Sequence, residues 1–343
     1  MKKFVLIIFI VLVLAAGILF YKYKNNNVLL ENPLIKIDQV IDVVQHPLEV
    51  SYMRKQEYPG SEIMIEDELP AGSNYDRFLT SYQSEGLKIY ALLTVPKGDA
   101  PEGGWPVIVF NHGYIPPAQY RTTERYVAYT DAFSRNGYVL FRPDYRGHGD
   151  SEGEPTGAYY SPGYTIDVLN AVSSIKKYPG VNPEKIGMWG HSMGGSITLR
   201  TMVTTSDVKV GVIWAGVVAS YEDMATNWRR RTPFTPSVQE QQVRRPGRQQ
   251  LIDTYGDFGE NPSFWESISP IFHVSEISGP VQIHHGTADA EVPVLFSERL
   301  RDAMQVAGKE VEMFTYEGDD HNLSANLGLA LQRSVEFFDK YLK

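Results

Sequence analysis

The chain has 343 residues, of which 43% are hydrophobic and 21% are charged, and its formal net charge is −9. This composition is typical of a globular protein and excludes a disordered tail, a collagen-like rod and a polytopic membrane protein. The acidic balance lacks the basic footprint that nucleic-acid binding usually needs, and the absence of cysteine excludes disulfides, thiolate metal sites and a cysteine nucleophile.

The chain begins with an apolar run at residues 4–20, which lysines flank on both sides. The run is at the short end of the ~17–25 residues that span a bilayer, and the tyrosines that follow it suit a membrane interface. Residues 1–24 are therefore predicted to be a transmembrane anchor, with the rest of the chain outside the cytoplasm. The alternative is a signal peptide that is cleaved near the small residues 15–17, which would leave the protein secreted.

Residues 25–80 are predicted to be a tether and an N-terminal extension that packs on the main domain. The tether begins with three asparagines at residues 25–27. The spacing of apolar residues between Leu34 and Val44 indicates an amphipathic helix. Prolines at positions 47, 59 and 70 interrupt the segment that follows.

From residue 81 to residue 343, short apolar runs alternate with helical periods. Continuous apolar runs indicate strands that are buried on both faces, and helices between them indicate parallel crossovers. The predicted strands are residues 87–95, 107–110, 138–141, 185–189, 208–214, 281–284 and 311–316. The predicted helices are residues 120–135, 165–177, 193–203, 294–307 and 324–342. This stretch is therefore predicted to be one α/β domain with a doubly wound, mostly parallel sheet.

The segment 221–270 interrupts the alternation. It separates two predicted strands that a loop of about 2–6 residues could connect. A connection of this length is typical of a lid over a site, and we interpret it so. The alternative is a helical insertion with a solvated basic face, since residues 229–248 hold six arginines and a single acidic residue, Glu240.

The sequence Gly-His-Ser-Met-Gly at residues 190–194 directly follows a predicted strand and opens a predicted helix. G-x-S-x-G at a strand-to-helix turn is typical of a nucleophile elbow. The strained turn holds the serine hydroxyl above the sheet, at a helix N-terminus whose dipole favours a developing negative charge. Ser192 is therefore the predicted nucleophile.

A serine nucleophile needs a base and an acid that orients the base. In chains with a nucleophile elbow these two residues follow the serine along the chain, first Asp and then His, each after a later strand. Asp289 follows the sixth predicted strand and His321 follows the seventh, so they are the predicted orienting acid and base. Glu291, Asp319 and Asp320 are alternative carboxylates, although the last two adjoin His321 and are expected to shape its loop.

The other histidines of these loops and strands are interpreted as loop or core residues. His284 and His285 are neighbours on a predicted strand, where successive side chains point to opposite faces. They are therefore not predicted to form a metal pair. His112, His148 and His191 are given the same structural interpretation.

A tetrahedral intermediate needs two N–H donors that form an oxyanion hole. One donor is predicted to be the backbone N–H of Met193, which directly follows the nucleophile. The other is predicted to be the N–H of Tyr114, in the turn at residues 111–114 that follows the second predicted strand. Gly113 is the neighbouring candidate.

The order and spacing of these motifs resemble the catalytic domain of the prolyl oligopeptidase family, within the α/β-hydrolase fold. The resemblance covers residues 75–343 and depends on the segments 111–114, 144–153, 190–194 and 286–293 and on His321. It implies a serine hydrolase that forms an acyl-enzyme with no metal and no organic cofactor. Residues 25–80 are too short for the β-propeller of the family's large peptidases, and His-Gly-Tyr-Ile stands where many relatives have His-Gly-Gly-Pro.

The expected function is that of a prolyl-oligopeptidase-type serine peptidase acting on short peptides. The alternatives are a carboxylesterase acting on small or lipid-like esters and a catalytically silent binding module, which the complete order of Ser, Asp and His disfavours. A pocket lined from the arginine-rich segment 229–248 by aromatic side chains alone would favour esters, whereas a carboxylate placed to meet a free amino terminus would favour peptides. The expected partners are a small-molecule substrate and, through the N-terminal helix, a membrane.

Overall fold

A nine-stranded sheet organises the part of the chain that the computed structural model describes, which is residues 45–228 and 238–343, with the backbone alone for 238–246. The predicted anchor at residues 1–24, the predicted helix between Leu34 and Val44, and most of the arginine-rich stretch lie outside the described residues or side chains. No helix among the described residues is long and apolar enough to cross a membrane. Residues His46–Lys343 form one compact unit.

The strands lie in the order β1-β2-β3-β5-β4-β6-β7-β8-β9. The first four strands of this order pair antiparallel, and the remaining pairs, from β5-β4 to β8-β9, are parallel. The mostly parallel, α/β-hydrolase-like sheet is therefore confirmed. The bounds are β1 Met64–Leu69, β2 Tyr75–Ser84, β3 Leu87–Pro96, β4 Trp105–Asn111, β5 Val139–Pro143, β6 Val181–His191, β7 Val210–Trp214, β8 Val281–Gly286 and β9 Val311–Tyr316.

The sheet begins earlier than the sequence pattern predicts. Strand β2 crosses the predicted domain boundary at residue 81, and β1 lies wholly within the predicted extension. The side chains of β1 are exposed or nearly so along its length, so it lacks the apolar run that marks the buried strands. The extension thus contributes two antiparallel strands to one edge of the sheet.

Helices cover both faces of the sheet. Their bounds are α1 Val50–Met53, α2 Val127–Arg135, α3 Gly163–Ile175, α4 Met193–Thr204, α5 Tyr221–Asn227, α6 Val238–Tyr255, α7 Pro262–Ile268, α8 Val294–Val306 and α9 Leu327–Leu342. The predicted helix 120–135 begins only at Val127. Arg125 and Tyr126 have φ angles of 55° and 50°, which lie in the left-handed region and cannot continue a right-handed helix.

Alternate residues of the central strands pack into two separate cores. Val107 and Val109 of β4 face one core, which α3, α4 and α8 cover. Ile108 and Phe110 face the other core, which α2 and α9 cover. This alternation explains why the strand reads as a continuous apolar run, since both of its faces are buried.

The segment 221–270 contains helices α5, α6 and α7, which lie between β7 and β8 in the chain. Its apolar side chains form a third cluster together with Leu48, from the N-terminal part of the described chain. The buried guanidinium of Arg200, on α4, donates hydrogen bonds to the carbonyl oxygens of Leu48 and Ile268, both at 2.8 Å. The role of segment 221–270 as a lid stays a prediction.

The loop after β5 is braced by paired charges. The Arg146 guanidinium donates to both carboxylate oxygens of buried Asp167, at 2.7 to 3.2 Å, and to Glu85. Asp144 is fully buried and accepts hydrogen bonds from the hydroxyls of Tyr120 at 3.0 Å and Thr122 at 2.5 Å. These pairs fix the backbone at the carboxyl edge of the sheet.

Candidate active site

Strand β6 ends at His191 and helix α4 begins at Met193, so Ser192 is the single residue of the turn between them. Its φ and ψ angles are 56° and −117°, a backbone conformation that is unfavourable for any residue with a side chain. Its N–H donates to the Trp214 carbonyl at 2.9 Å. A Cβ atom at Gly194 would overlap the carbonyl oxygen of Asn111, so only glycine fits there. The strained geometry of a nucleophile elbow is therefore present.

Asp289 and His321, which lie 32 residues apart in the chain, are in direct contact. The Nδ1 atom of His321 lies 2.7 Å from the Oδ2 atom of Asp289. The Oδ1 atom of Asp289 accepts the backbone N–H groups of Glu291 at 2.7 Å and Val292 at 3.0 Å. Each carboxylate oxygen is thus held by donors, which fixes the orientation of the carboxylate.

The charge of Asp289 is stabilised by these donors. Burial would raise the pKa of Asp289, but hydrogen bonds from His285, His321 and the Val292 N–H lower it well below its usual range. The carboxylate is therefore ionised at neutral pH. An ionised carboxylate at Nδ1 selects the imidazole tautomer whose Nε2 lone pair can accept a proton.

The alternative carboxylates near His321 bond within their own loop. Asp319 accepts hydrogen bonds from the backbone of Ala325 at 3.1 Å and Asn326 at 3.0 Å. Asp320 accepts the N–H groups of Asn322 and Ser324. Both carboxylates therefore shape the loop that carries His321, as the sequence predicts.

The two neighbouring histidines of β8 point to different partners. His284 contacts Gln282 and the Tyr316 hydroxyl. His285 lies 2.7 Å from the Ser297 hydroxyl, 3.0 Å from the Val292 carbonyl and 3.1 Å from Asp289 Oδ2. The core interpretation is thus incomplete for His285, which is buried but also contacts the predicted orienting acid.

The turn after β4 carries the predicted second oxyanion donor. Gly113 donates its N–H to the Tyr126 hydroxyl at 2.9 Å, so this N–H group is already engaged. Tyr114, the next residue, lies on the wall of the same cavity as Ser192. Met193 is the first residue of α4, where backbone N–H groups have no partner within the helix.

Ser192 and His321 line one cavity of about 500 Å³. Arg125 and Glu291 place opposite charges on its wall, which the turn residue Tyr114 also lines. Asp289 lies behind His321, through the hydrogen bond described above. The remaining lining residues are Gly113, Ile115, Tyr126, Tyr129, His191 and Asn322.

Four residues that line this cavity could not be given their place in it from the sequence pattern. Tyr126 and Arg125 lie where a helix is predicted, and no motif marks them. His191 lies within the G-x-S-x-G motif, which indicates that it is close to the nucleophile. Its contacts, however, are with residues that are distant in the chain, so the motif does not predict them. Glu291 follows Asp289 by two residues, and the sequence indicates it only as an alternative to Asp289 as the orienting acid.

Comparison with known proteins places these features in a family. A sequence profile of the prolyl oligopeptidase family matches residues 125–343. YtmA, an uncharacterised peptidase of Bacillus subtilis, is 25% identical over 254 residues, which cover 74% of this chain and 89% of YtmA.

Solved structures show the same fold. The Pyrococcus horikoshii acylaminoacyl peptidase matches with a TM-score of 0.62 at 21% identity, covering 79% of this chain and 42% of that protein. An acetyl xylan esterase from Paenibacillus sp. R4 matches with a TM-score of 0.64 at 16% identity, covering 85% of this chain and 92% of the esterase. The chain thus spans less than half of the matched peptidase and nearly all of the matched esterase.

Proposed function

Because the chain belongs to the prolyl oligopeptidase family of serine hydrolases, we propose that it is a serine peptidase that acts on short peptides. Ser192 is the nucleophile, His321 the general base and Asp289 the orienting acid. The backbone N–H groups of Met193 and Tyr114 form the oxyanion hole.

The reaction follows from the chemistry of these groups. The Ser192 hydroxyl oxygen attacks the carbonyl carbon of the scissile bond while its proton passes to Nε2 of His321. The carbonyl oxygen becomes an oxyanion, which the two N–H groups stabilise. His321 then gives the proton to the leaving amine, and the acyl-enzyme forms. Water repeats the sequence and releases the acid, while Asp289 stabilises the transient imidazolium.

The two charged side chains on the cavity wall support a peptide as the substrate. Glu291 and Arg125 line the same cavity as Ser192 and His321. A carboxylate suits an ammonium group at the amino terminus of a short peptide, and a guanidinium suits a carbonyl or carboxylate farther along. An ester without an amino group offers no cation for the Glu291 carboxylate to bind.

A carboxylesterase is the second candidate function. It is favoured by the close match in length to the acetyl xylan esterase structure. The two tyrosine rings in the cavity wall, of Tyr126 and Tyr129, would also suit an apolar acyl group.

The test compares an anilide and an ester that share one amino-acyl group, each with a free and with an acetylated amino group. The Ser192→Ala variant supplies the background rate. We expect the wild type to hydrolyse the free-amino anilide well above that background. Hydrolysis of the esters alone would overturn the peptidase proposal in favour of the esterase, and no hydrolysis of any substrate would contradict both.

A further inference from the structure

Three hydrogen bonds connect the turn after β4, the nucleophile elbow and the loop that carries His321. The Gly113 N–H lies 2.9 Å from the Tyr126 hydroxyl oxygen. That hydroxyl lies 2.8 Å from Nδ1 of His191, and Nε2 of His191 lies 3.0 Å from the backbone carbonyl oxygen of His321. The two partners of these hydrogen bonds lie 13, 65 and 130 residues apart in the sequence, respectively.

The chemistry of the partners fixes the direction of each hydrogen bond. A carbonyl oxygen can only accept, so Nε2 of His191 carries a proton and donates to His321. A neutral imidazole then has a lone pair at Nδ1, which accepts the Tyr126 O–H. The Tyr126 oxygen in turn accepts the Gly113 N–H. Every donor in the series thus meets an acceptor.

Burial keeps both rings in these states. His191 is buried, and its burial, together with the nearby ring of His321, lowers the pKa of His191 to about 3. Burial also raises the pKa of Tyr126 well above its usual value, so its hydroxyl stays protonated. The rings of Phe110 and Trp189 pack around Tyr126, at centroid distances of 5.4 and 6.1 Å.

The packing at Gly113 leaves no room for a side chain. A Cβ atom there would lie 2.7 Å from the Tyr126 hydroxyl oxygen and 3.2 Å from Nδ1 of His191. The close approach brings the backbone of the turn directly against the Tyr126–His191 pair. The adjacent residue, Tyr114, lines the same cavity as Ser192 and His321.

We propose that Tyr126 and His191 are positioning residues. They hold the turn at residues 111–114, which carries the oxyanion donor, at a fixed distance from the loop that carries His321. This role rests on the proposed function, because it presumes that Tyr114 supplies an oxyanion donor and His321 the base. Neither Tyr126 nor His191 exchanges a proton with the substrate. They set the distance between the oxyanion donor at Tyr114 and the base His321. An error on the order of 1 Å in such a distance can cost ~10²-fold in rate.

The first test removes a single hydroxyl. Tyr126→Phe keeps the ring but leaves Nδ1 of His191 and the Gly113 N–H without their partner. We expect kcat to fall roughly ten- to a hundredfold while KM changes little, because the lost alignment affects the transition state more than substrate binding. Affinity for a boronic acid that mimics the tetrahedral intermediate should fall in parallel with kcat.

The matched control is Tyr138→Phe. Tyr138 is buried and donates its hydroxyl to Asp339 at 2.6 Å, at a place that takes no part in the cavity. It therefore reports the cost of losing one buried hydroxyl for folding alone. Thermal unfolding of both variants shows whether a loss of kcat follows from a loss of stability.

A second pair of variants tests His191 through its hydrogen-bonding pattern. A glutamine side chain offers one acceptor and one donor at a separation similar to that of the two imidazole nitrogens. His191→Gln should therefore retain much more kcat than His191→Leu, which has neither. The double variant Tyr126→Phe with His191→Leu should be little worse than the poorer single variant, since both break the same series of bonds.

Labelling with a fluorophosphonate separates the two proposals. If the wild type is not labelled at Ser192 and hydrolyses no substrate, the proposed function is wrong and the positioning role falls with it. If the wild type is labelled and active but Tyr126→Phe matches Tyr138→Phe in kcat, the positioning role alone is wrong. Equal kcat for His191→Gln and His191→Leu would also contradict it.

Discussion

The Nε2 atom of His285 lies 3.1 Å from the Oδ2 atom of Asp289. The same oxygen contacts Nδ1 of His321 at 2.7 Å, so two imidazoles share one carboxylate oxygen. The Ser297 hydroxyl at Nδ1 and the Val292 carbonyl at Nε2 assign the proton of a neutral His285 to Nε2, which makes it a donor to Asp289. His285 is thus a further donor to the proposed orienting acid.

Replacing His285 with phenylalanine should lower kcat about tenfold, because the Asp289 carboxylate loses a donor that fixes its orientation. The measurement is kcat for hydrolysis of the anilide. His285→Gln, whose amide can donate at a similar place, should restore part of the lost kcat. Equal kcat for His285→Phe and His285→Gln would contradict this role.

Ser192→Ala should remove most of an acceleration on the order of 10⁶. The variant keeps the fold, so its thermal unfolding should match that of the wild type or exceed it, since alanine removes the hydroxyl but no core contact. The measurement is hydrolysis of the anilide and ester pair. Ser196→Ala, on the same helix α4, is the matched control and should keep its activity. Near-normal turnover by Ser192→Ala would show that another residue is the nucleophile.

Glu291→Gln should raise KM about tenfold for a peptide with a free amino terminus, because the carboxylate on the cavity wall no longer attracts the ammonium group. The acetylated peptide should be hydrolysed as before, since it carries no charge for Glu291 to meet. Glu336→Gln removes the same charge from the exposed side of α9 and serves as the control. Equal changes for the two peptides would exclude recognition of the amino terminus by Glu291.

Asp144→Asn should stabilise the protein at high pH and not at low pH. Burial raises the pKa of Asp144 to about 7, against the opposing effects of the Thr122 hydroxyl and the Arg142 charge. The folded wild type therefore binds a proton more tightly than the unfolded chain does, and its stability falls as the pH rises from about 4 to 7. Asparagine does not ionise, so the variant's advantage in free energy of unfolding should grow across this window to a few kcal/mol.

The measurement for Asp144 is urea unfolding at several pH values between 4 and 8. Asp320→Asn, an exposed carboxylate that bonds within its own loop, is the reference variant for the loss of a carboxylate charge. A difference between Asp144→Asn and the wild type that is constant with pH would show that the pKa of Asp144 is the same in the folded and unfolded states.

The order of the strands and the loops that bear Ser192, Asp289 and His321 could be predicted because each follows a continuous apolar run. In a parallel sheet these runs end at one edge, so their order alone brings the loops together. The edge strand β1 could not be predicted, since its exposed side chains leave no periodic signal. The contact between Tyr126 and His191 joins residues 65 positions apart. It depends on the left-handed backbone at Tyr126, which residue preferences do not indicate at a tyrosine.

The buried guanidinium of Arg200 has a practical consequence for anyone who shortens this protein. One of its acceptors is the carbonyl oxygen of Leu48, 152 positions earlier in the chain. A fragment that starts after Leu48 would remove one hydrogen-bond acceptor of the buried Arg200 guanidinium. Arg200 lies on α4, the helix that directly follows Ser192. The smallest fragment suited to kinetic work must therefore include this leucine, although it lies ahead of every strand of the sheet.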